Sequence, residues 1–298
     1  MSNPSQSWKY FYLRMKSKIL SYIKLARLDK PIGIYLLLWP ALLGLLLASI
    51  TEGYVDYENI LIVIIGSILV RSCGCVINDI SDHDFDKLVH RTKDRPLASG
   101  EISIKSAWIL FIFLSIASLS LLLITPPLTL KLGLFFAVLI IFYPLAKRFL
   151  KAPQLILGIT FGSSALISYS LQSAIFTPSI LILYVGLIAW IVSFDTLYAL
   201  EDINDDRKIG INSTPLLWGD NAVKIANLLH TFFLLSLLII SFVNSFSIFF
   251  YLIIFIMLVL FYFQNQIARQ EKFLEAFKFN NYVGMIATLG LSIEVFLI

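Results

Sequence analysis

The chain has 298 residues, 58% of them hydrophobic and only 14% charged, with a formal net charge of +4. Soluble globular chains carry about a quarter charged residues, so this composition excludes an ordinary soluble domain and marks a polytopic membrane protein. No nucleic-acid partner is expected from so small a positive excess, and the placement of the charge says more than its size.

Taken in chain order, the N-terminal segment combines aromatic residues (Trp8, Tyr10, Phe11, Tyr12) with Lys9, Arg14, Lys16 and Lys18, which suits a helix lying at a membrane interface. The first apolar run is too long for the core of a signal peptide, and no small-residue cleavage site follows it. Apolar stretches of spanning length then recur near 32–50, 58–77, 106–124, 128–146, 154–173, 177–197, 222–242, 246–265 and 280–297. A spanning helix needs roughly 20 apolar residues. The reading is therefore an all-α membrane protein with about nine transmembrane helices. Cys73 and Cys75 are two residues apart and point to different sides of a helix, so they read as small packing residues.

The second span runs into the acidic cluster Asn78-Asp79-Ile80-Ser81-Asp82-His83-Asp84-Phe85-Asp86. A basic, Pro- and Gly-containing loop through Lys87, Arg91, Arg95 and Gly100 follows. The sixth span runs into a second cluster, Asp195 to Asp206, followed by another such loop through Arg207, Lys208, Gly210 and Pro215. The repetition predicts two halves of about four spans facing one another, capped by the two loops over a central cavity, with the ninth span appended. Basic residues gather before span one and after spans two, four, six and eight, whereas the alternate loops hold only Lys131 plus Glu52, Asp56 and Glu58. The positive-inside rule puts the N-terminus and both acidic clusters in the cytoplasm and the C-terminus outside.

Carboxylates are costly in or near hydrocarbon, so acids at the ends of spans suggest a functional site. Treated as continuous helix, the first cluster puts Arg71, Asn78, Asp82 and Asp86 on one stripe with Asp79 at its edge. The second puts Asp195, Tyr198, Asp202 and Asp206 on one narrow face. His83, Asp84 and Glu201 point elsewhere. A lone Asp at a helix end is usually just solvated, but two in-phase stripes on one side of the membrane are not easily dismissed. Hard oxygen donors of this kind suit Mg²⁺, which is commonly held by one or two carboxylates plus substrate phosphates. Arg71, Lys87, Arg91, Arg95, Lys147 and Arg148 could carry a phosphate's charge from the same side.

At these clusters the chain resembles the UbiA superfamily of intramembrane prenyltransferases. Asn78, Asp79, Asp82 and Asp86 fit the pattern N-D-x-x-D-x-x-x-D, and Asp202 and Asp206 fit D-x-x-x-D within the longer Asp195–Asp206 motif. Arg27-Leu28-Asp29-Lys30-Pro31-Ile32-Gly33, Tyr143-Pro144 with Lys147-Arg148, and Arg95-Pro96-Leu97 are similar to the branch that prenylates 4-hydroxybenzoate. The likeness runs from about residue 20 to the end, as one domain over 1–298 with residues 1–20 as an interfacial segment.

The resemblance implies Mg²⁺-dependent transfer of a polyprenyl group from its diphosphate to 4-hydroxybenzoate, a step of ubiquinone biosynthesis, inside a cell inner membrane. A bacterial membrane fits better than a mitochondrial one, because no transit-like extension is present. It implies metal ligation by Asn78, Asp79, Asp82, Asp86, Asp202 and Asp206. Arg27, Arg71, Lys87, Arg91, Lys147, Arg148 and Tyr198 would bind substrates. Asp195, Arg148 and Tyr143 would act on or shape the acceptor. Membrane lipid is the surrounding partner. The competing readings are another aromatic acceptor (a naphthoate or homogentisate) and a cation-coupled transporter. Acids gathered at helix ends on one side favour the enzyme over the transporter.

Overall fold

A computed structural model describes the backbone of residues 4–297 and, apart from Lys147, the side chains of residues 15–297. The chain opens with α1 (Pro4–Leu25), whose aromatic N-terminal side chains lie outside the described residues. Then come α2 (Ile32–Glu52), α3 (Tyr57–Ser81), the short α4 (His83–Asp86), α5 (Ile104–Leu123), α6 (Pro127–Phe149) and α7 (Pro153–Tyr169). The second half continues with α8 (Pro178–Leu200), α9 (Ile203–Ile209), α10 (Thr214–Trp218), α11 (Ala222–Val243), α12 (Ile248–Arg269) and α13 (Phe273–Leu297). The fold is all-helical, as expected. A long helix occupies each of the nine predicted positions. Seven segments among the described residues are long and apolar enough to cross a membrane, and α7, with 17 residues, and α13 are not among them.

Local chemistry starts and stops these helices where the sequence asks. The Asp56 side chain caps α3 by accepting the Glu58 N–H at 2.9 Å, and Ser103 caps α5 through the Ser106 N–H at 3.3 Å. Proline opens α6, α7 and α8, where its missing N–H costs nothing. Gly53 ends α2 at φ 77°, its N–H returning to the Ser49 carbonyl at 2.9 Å.

Packing only partly separates the predicted halves. α3 lies against α2, α5 and α6, and α8 lies against α7 and α11, with α12 on α11, but α7 packs on α2 and α6 as well as on α8. α2, α7, α8 and α13 form a closed ring at the centre. The last helix is therefore not an appendage: α13 lies against α2, α8 and α12 and joins the halves. The main core carries Trp190, stacked on Phe233 at 5.0 Å between ring centres, with its indole N–H donated to Asn280 Oδ1 at 2.8 Å. Ile109, Ile112, Phe113 and Ile116 on α5 and Phe249, Leu252 and Phe255 on α12 are exposed. In water such a surface would drive association; in a bilayer it is the lipid-facing wall, and the chain is a multi-pass integral membrane protein.

The continuous helix expected through each acidic cluster is broken, and at matching places. α3 stops at Ser81, and Asp82 takes φ −96°, ψ 7° before α4 begins. α8 stops at Leu200, and Asp202 takes φ −101°, ψ 4° before α9 begins. Helical hydrogen bonding resumes from each break residue: the Asp86 N–H meets the Asp82 carbonyl at 2.8 Å, and the Asp206 N–H meets the Asp202 carbonyl at 2.9 Å. Asp side chains compete with the helical backbone, which favours a kink where acids cluster at a helix end.

Candidate active site

The site lies at the end of the bundle where α3 and α8 break. Its organising groups are three arginines. Arg27 directs one guanidinium nitrogen at both Asp79 oxygens, each at 2.9 Å. Arg95 reaches Asp79 at 3.1 Å and Asp86 at 2.8 Å. Arg91, from the loop after the first motif, crosses to the second: it donates to both Asp202 oxygens (one at 2.8 Å) and to the Tyr198 hydroxyl, and lies 4.6 Å over the Tyr198 ring. The Tyr198 ring in turn packs on Phe277 of α13 at 4.9 Å. The loop that follows the first motif is thus tied by one side chain to the second motif.

The backbone around Arg27 shows how much this pairing weighs. Residues 23–28 end α1 with the Leu28 N–H on the Ile23 carbonyl (3.0 Å) and the Arg27 N–H on the Lys24 carbonyl (3.1 Å). That is a Schellman ending with Arg27 at the left-handed position, φ 57°, where glycine is usual. A non-glycine residue there costs on the order of 1 kcal/mol or more, and glycine could not hold Asp79.

Burial and charge act together. Burial pushes the Asp86 carboxyl above its ordinary range, Arg95 pulls it back, and Asp79 and Asp82 add to the rise. Burial works against the charged forms of Arg91 and Arg95. Asp202 and Tyr198 hold Arg91 up, Asp79 and Asp86 do the same for Arg95, and both guanidiniums lie above their usual value.

Several expected site residues sit elsewhere or are already engaged. Asp79, expected as a metal ligand, is 2% exposed and has both oxygens on arginines, because it sits at the junction of α3 with the α1 turn and the first loop. Arg27, expected on the acceptor, is its partner. Lys87 is exposed and pairs with Asp84 at 3.1 Å, away from the second motif. Arg148 donates to the Ser81 carbonyl at 3.0 Å and lies 5.3 Å from the Phe85 ring, so it caps the end of α3 beside the first motif. Tyr143 is half-buried against the main core. Asp195 is half-buried on α8, seven residues before Asp202. Asn78 and Asp206 are half-buried and Asp82 is buried, all at the breaks. The Lys147 side chain lies outside the described residues.

Arg71 stands apart. It lies on α3 about two turns into the bundle from Asn78. Its Nε is buried without a hydrogen-bond partner, and its guanidinium lies 5.2 Å from the Phe161 ring. Gly33 makes the room: a Cβ there would fall 2.6 Å from Arg71 Nε.

Sequence reasoning noted Arg95 only as nearby positive charge, and it is the clamp between Asp79 and Asp86. Gln154 is a second site residue without a sequence signal; its Oε1 accepts the Thr214 N–H at 2.9 Å and ties the second loop to α7. Neither role has a local signal: Arg95 folds back across its loop onto residues nine and sixteen positions earlier, and Gln154 meets a residue sixty positions on.

Among the described residues, no three acidic, His or Cys side chains converge as metal ligands would. The donor chemistry nonetheless fits a hard divalent cation: carboxylates and one amide at two matched breaks, with no thiol or imidazole engaged. To ligate one, Asp86 and Asp202 would have to exchange arginine for metal.

Matched acidic breaks at one end of a helical bundle with a lipid-facing wall define an intramembrane enzyme acting where lipid meets water. Residues 37–285 match the model of the UbiA prenyltransferase family. The chain belongs to that family and is a prenyltransferase. It is 40% identical over 272 residues to the 4-hydroxybenzoate octaprenyltransferase of Vesicomyosocius okutanii, covering 90% of this chain and 99% of that one. Its fold is similar to a UbiA homolog from Aeropyrum pernix (TM-score 0.76, 24% identity, 88% of this chain and 97% of that one). A UbiA homolog from Archaeoglobus fulgidus, bound to GPP and Mg²⁺, is similar in fold too (TM-score 0.65, 20% identity, 93% and 98%).

Proposed function

We propose that this chain transfers a polyprenyl group from a polyprenyl diphosphate to 4-hydroxybenzoate, at the ring carbon next to the hydroxyl, in ubiquinone biosynthesis. The single observation that supports the reading is Arg91, which ties the loop after the first acidic motif to Asp202 and Tyr198 of the second. The name of the 40% identical relative supports the acceptor. The GPP and Mg²⁺ of the Archaeoglobus homolog support the donor class and the metal.

Asn78, Asp82, Asp86, Asp202 and Asp206 are the residues that would hold Mg²⁺. When bound, the metal would neutralise the diphosphate and make it a better leaving group. Arg71, with a buried and unpartnered Nε, supplies a fixed cation for the leaving oxygens. Arg91 and Arg95 keep the motif carboxylates aligned and balance their mutual repulsion. The allylic C–O bond breaks with its electron pair leaving on the diphosphate. A π pair of the acceptor ring forms the new C–C bond, and the ring proton is then lost. No protein nucleophile is required. Asp195, one turn before Tyr198 on α8, would orient the acceptor hydroxyl or take up a proton. Tyr143 would shape the ring site, and Arg148 would help hold the acceptor carboxylate.

The prenyl tail gives the reaction its location. Each buried CH₂ favours lipid by about 0.8 kcal/mol, so the tail lies in the hydrocarbon while the diphosphate stays at the polar end. The basic loops orient that end to the cytoplasm of a bacterial inner membrane. The whole chain acts as one domain.

The test is incorporation of labelled 4-hydroxybenzoate into lipid by membranes holding the protein, with polyprenyl diphosphate and either Mg²⁺ or EDTA. Incorporation should need Mg²⁺ and vanish in Asp202→Ala. Incorporation of a naphthoate or homogentisate in preference to 4-hydroxybenzoate would overturn the acceptor, and EDTA-resistant turnover would overturn the metal.

A further inference from the structure

Between α11 and α12, on the outer face of the second half, lies a cleft of about 500 Å³ that the reaction does not use. Its buried floor is the stacked pair His230 and Phe261, 4.1 Å between ring centres. The two helices are antiparallel neighbours joined by a short turn, and Asn227 of α11 donates to Asn265 of α12 at 2.6 Å across the cleft.

Each helix carries the same graded stripe. On α11, Lys224, Asn227, Thr231 and Leu234 follow one another at helical spacing, and on α12, Arg269, Asn265, Tyr262 and Leu258 do so in the opposite direction. Asn227, Thr231, Leu234, Leu258, Tyr262 and Asn265 all line the cleft. Lys224 and Arg269 lie one turn beyond the amide pair, both exposed, at the same end of the bundle as the acidic motifs. Neither makes an ion pair among the described residues, and the nearest acids in sequence, Asp220 and Glu271, lie beyond the two cations on the side away from the amide pair. At about 1.5 Å per residue, charge gives way to amides within about 5 Å and to hydrocarbon over about 10 Å more. That order and scale match the passage from headgroup to acyl chain in one leaflet.

We infer that this cleft is a binding site for one anionic phospholipid. Its phosphate sits between Lys224 and Arg269, its glycerol region meets the Asn227–Asn265 pair and Thr231, and an acyl chain lies along Leu234, Leu258 and Phe261. The cleft, about 500 Å³, suits the glycerol region and part of one acyl chain, with the rest of the lipid in the bilayer, and is too small for a partner helix. A singly charged phosphate is matched by two cations, and no carboxylate lines the cleft, which separates it from the diphosphate site.

The purified full-length protein in neutral detergent, titrated with phosphatidylglycerol or phosphatidylcholine and read by native mass spectrometry, tests this. Wild type should retain phosphatidylglycerol preferentially, and Lys224→Ala/Arg269→Ala should bind it roughly tenfold or more weakly. Thr231→Trp, which fills the cleft, should abolish retention while leaving the charges in place. It also replaces the double variant as the test if that variant melts well below wild type. Equal retention of the two lipids by wild type, or unchanged retention in either variant, would overturn the proposal. So would displacement of the bound lipid by geranyl diphosphate together with a raised donor KM in the double variant, because the cleft would then serve the donor.

Discussion

At the scale of single residues, the site is decided by where guanidiniums end their reach. Asp79, Asp82 and Asp86 look alike in sequence, yet Asp79 is closed by Arg27 and Arg95 while Asp86 shares Arg95 alone. Arg71 differs from these clamps in having a buried Nε without a partner. Gly33→Ala tests its role. The added Cβ would meet Arg71 Nε at 2.6 Å and Nη2 at 2.9 Å, atoms at the far end of a flexible chain. The fold should absorb this, with a melting temperature moving by no more than roughly 4 °C. The displaced guanidinium should raise the KM for the prenyl diphosphate by roughly tenfold, as expected for a hydrogen bond to a charged group. Steady-state kinetics beside a melting curve separate the two effects. Unchanged kinetics would remove Arg71 from the diphosphate site.

At the scale of elements, the two halves are locked by close backbone approach. Gly44 of α2 lies so near α7 that a Cβ would fall 2.1 Å from the Ala165 carbonyl oxygen. Ser164 and Ser168 of α7 add hydrogen bonds to the Leu37 and Ala41 carbonyls of α2. Small residues at such a crossing are how membrane helices gain packing contacts without a hydrophobic drive. Gly44→Val must part the helices and should destabilise by roughly 1–3 kcal/mol. Gly66→Ala is the control: its nearest neighbour would be Leu121 at an ordinary 3.6 Å. Thermal unfolding in detergent should separate the pair clearly, and equal melting temperatures would mean that the α2–α7 contact is not a keystone. The helix breaks at Asp82 and Asp202 belong to this scale too. The repeated motifs were legible in the sequence as pattern, but the breaks were not, because helical phase alone continues smoothly through both.

At the scale of the whole molecule, the charge pattern predicts one orientation. Single cysteines introduced at Lys93 and at Glu52, in a background lacking Cys73 and Cys75, should label from opposite sides of sealed vesicles. An impermeant maleimide should reach position 52 in right-side-out vesicles and position 93 only in inverted ones. The reverse pattern would place the acidic end outside and overturn the cytoplasmic assignment. The long lipid-facing walls of α5 and α12 make the bundle depend on the bilayer as solvent, so this measurement needs native membranes.

The sequence by itself determined the membrane class, the positions of the long helices, the two acidic motifs and the family, because hydropathy, charge placement and motif spacing are local properties of the chain. Only the tertiary structure decided that α13 joins the halves, that Asp79 is held by Arg27 and Arg95, that Arg91 ties the first loop to the second motif, and that Gly33 leaves room for Arg71. These are contacts between residues from sixteen to more than two hundred positions apart. Which guanidinium meets which carboxylate follows from how far each helix advances before it breaks and which neighbour it then meets, and that is fixed by packing of the whole bundle.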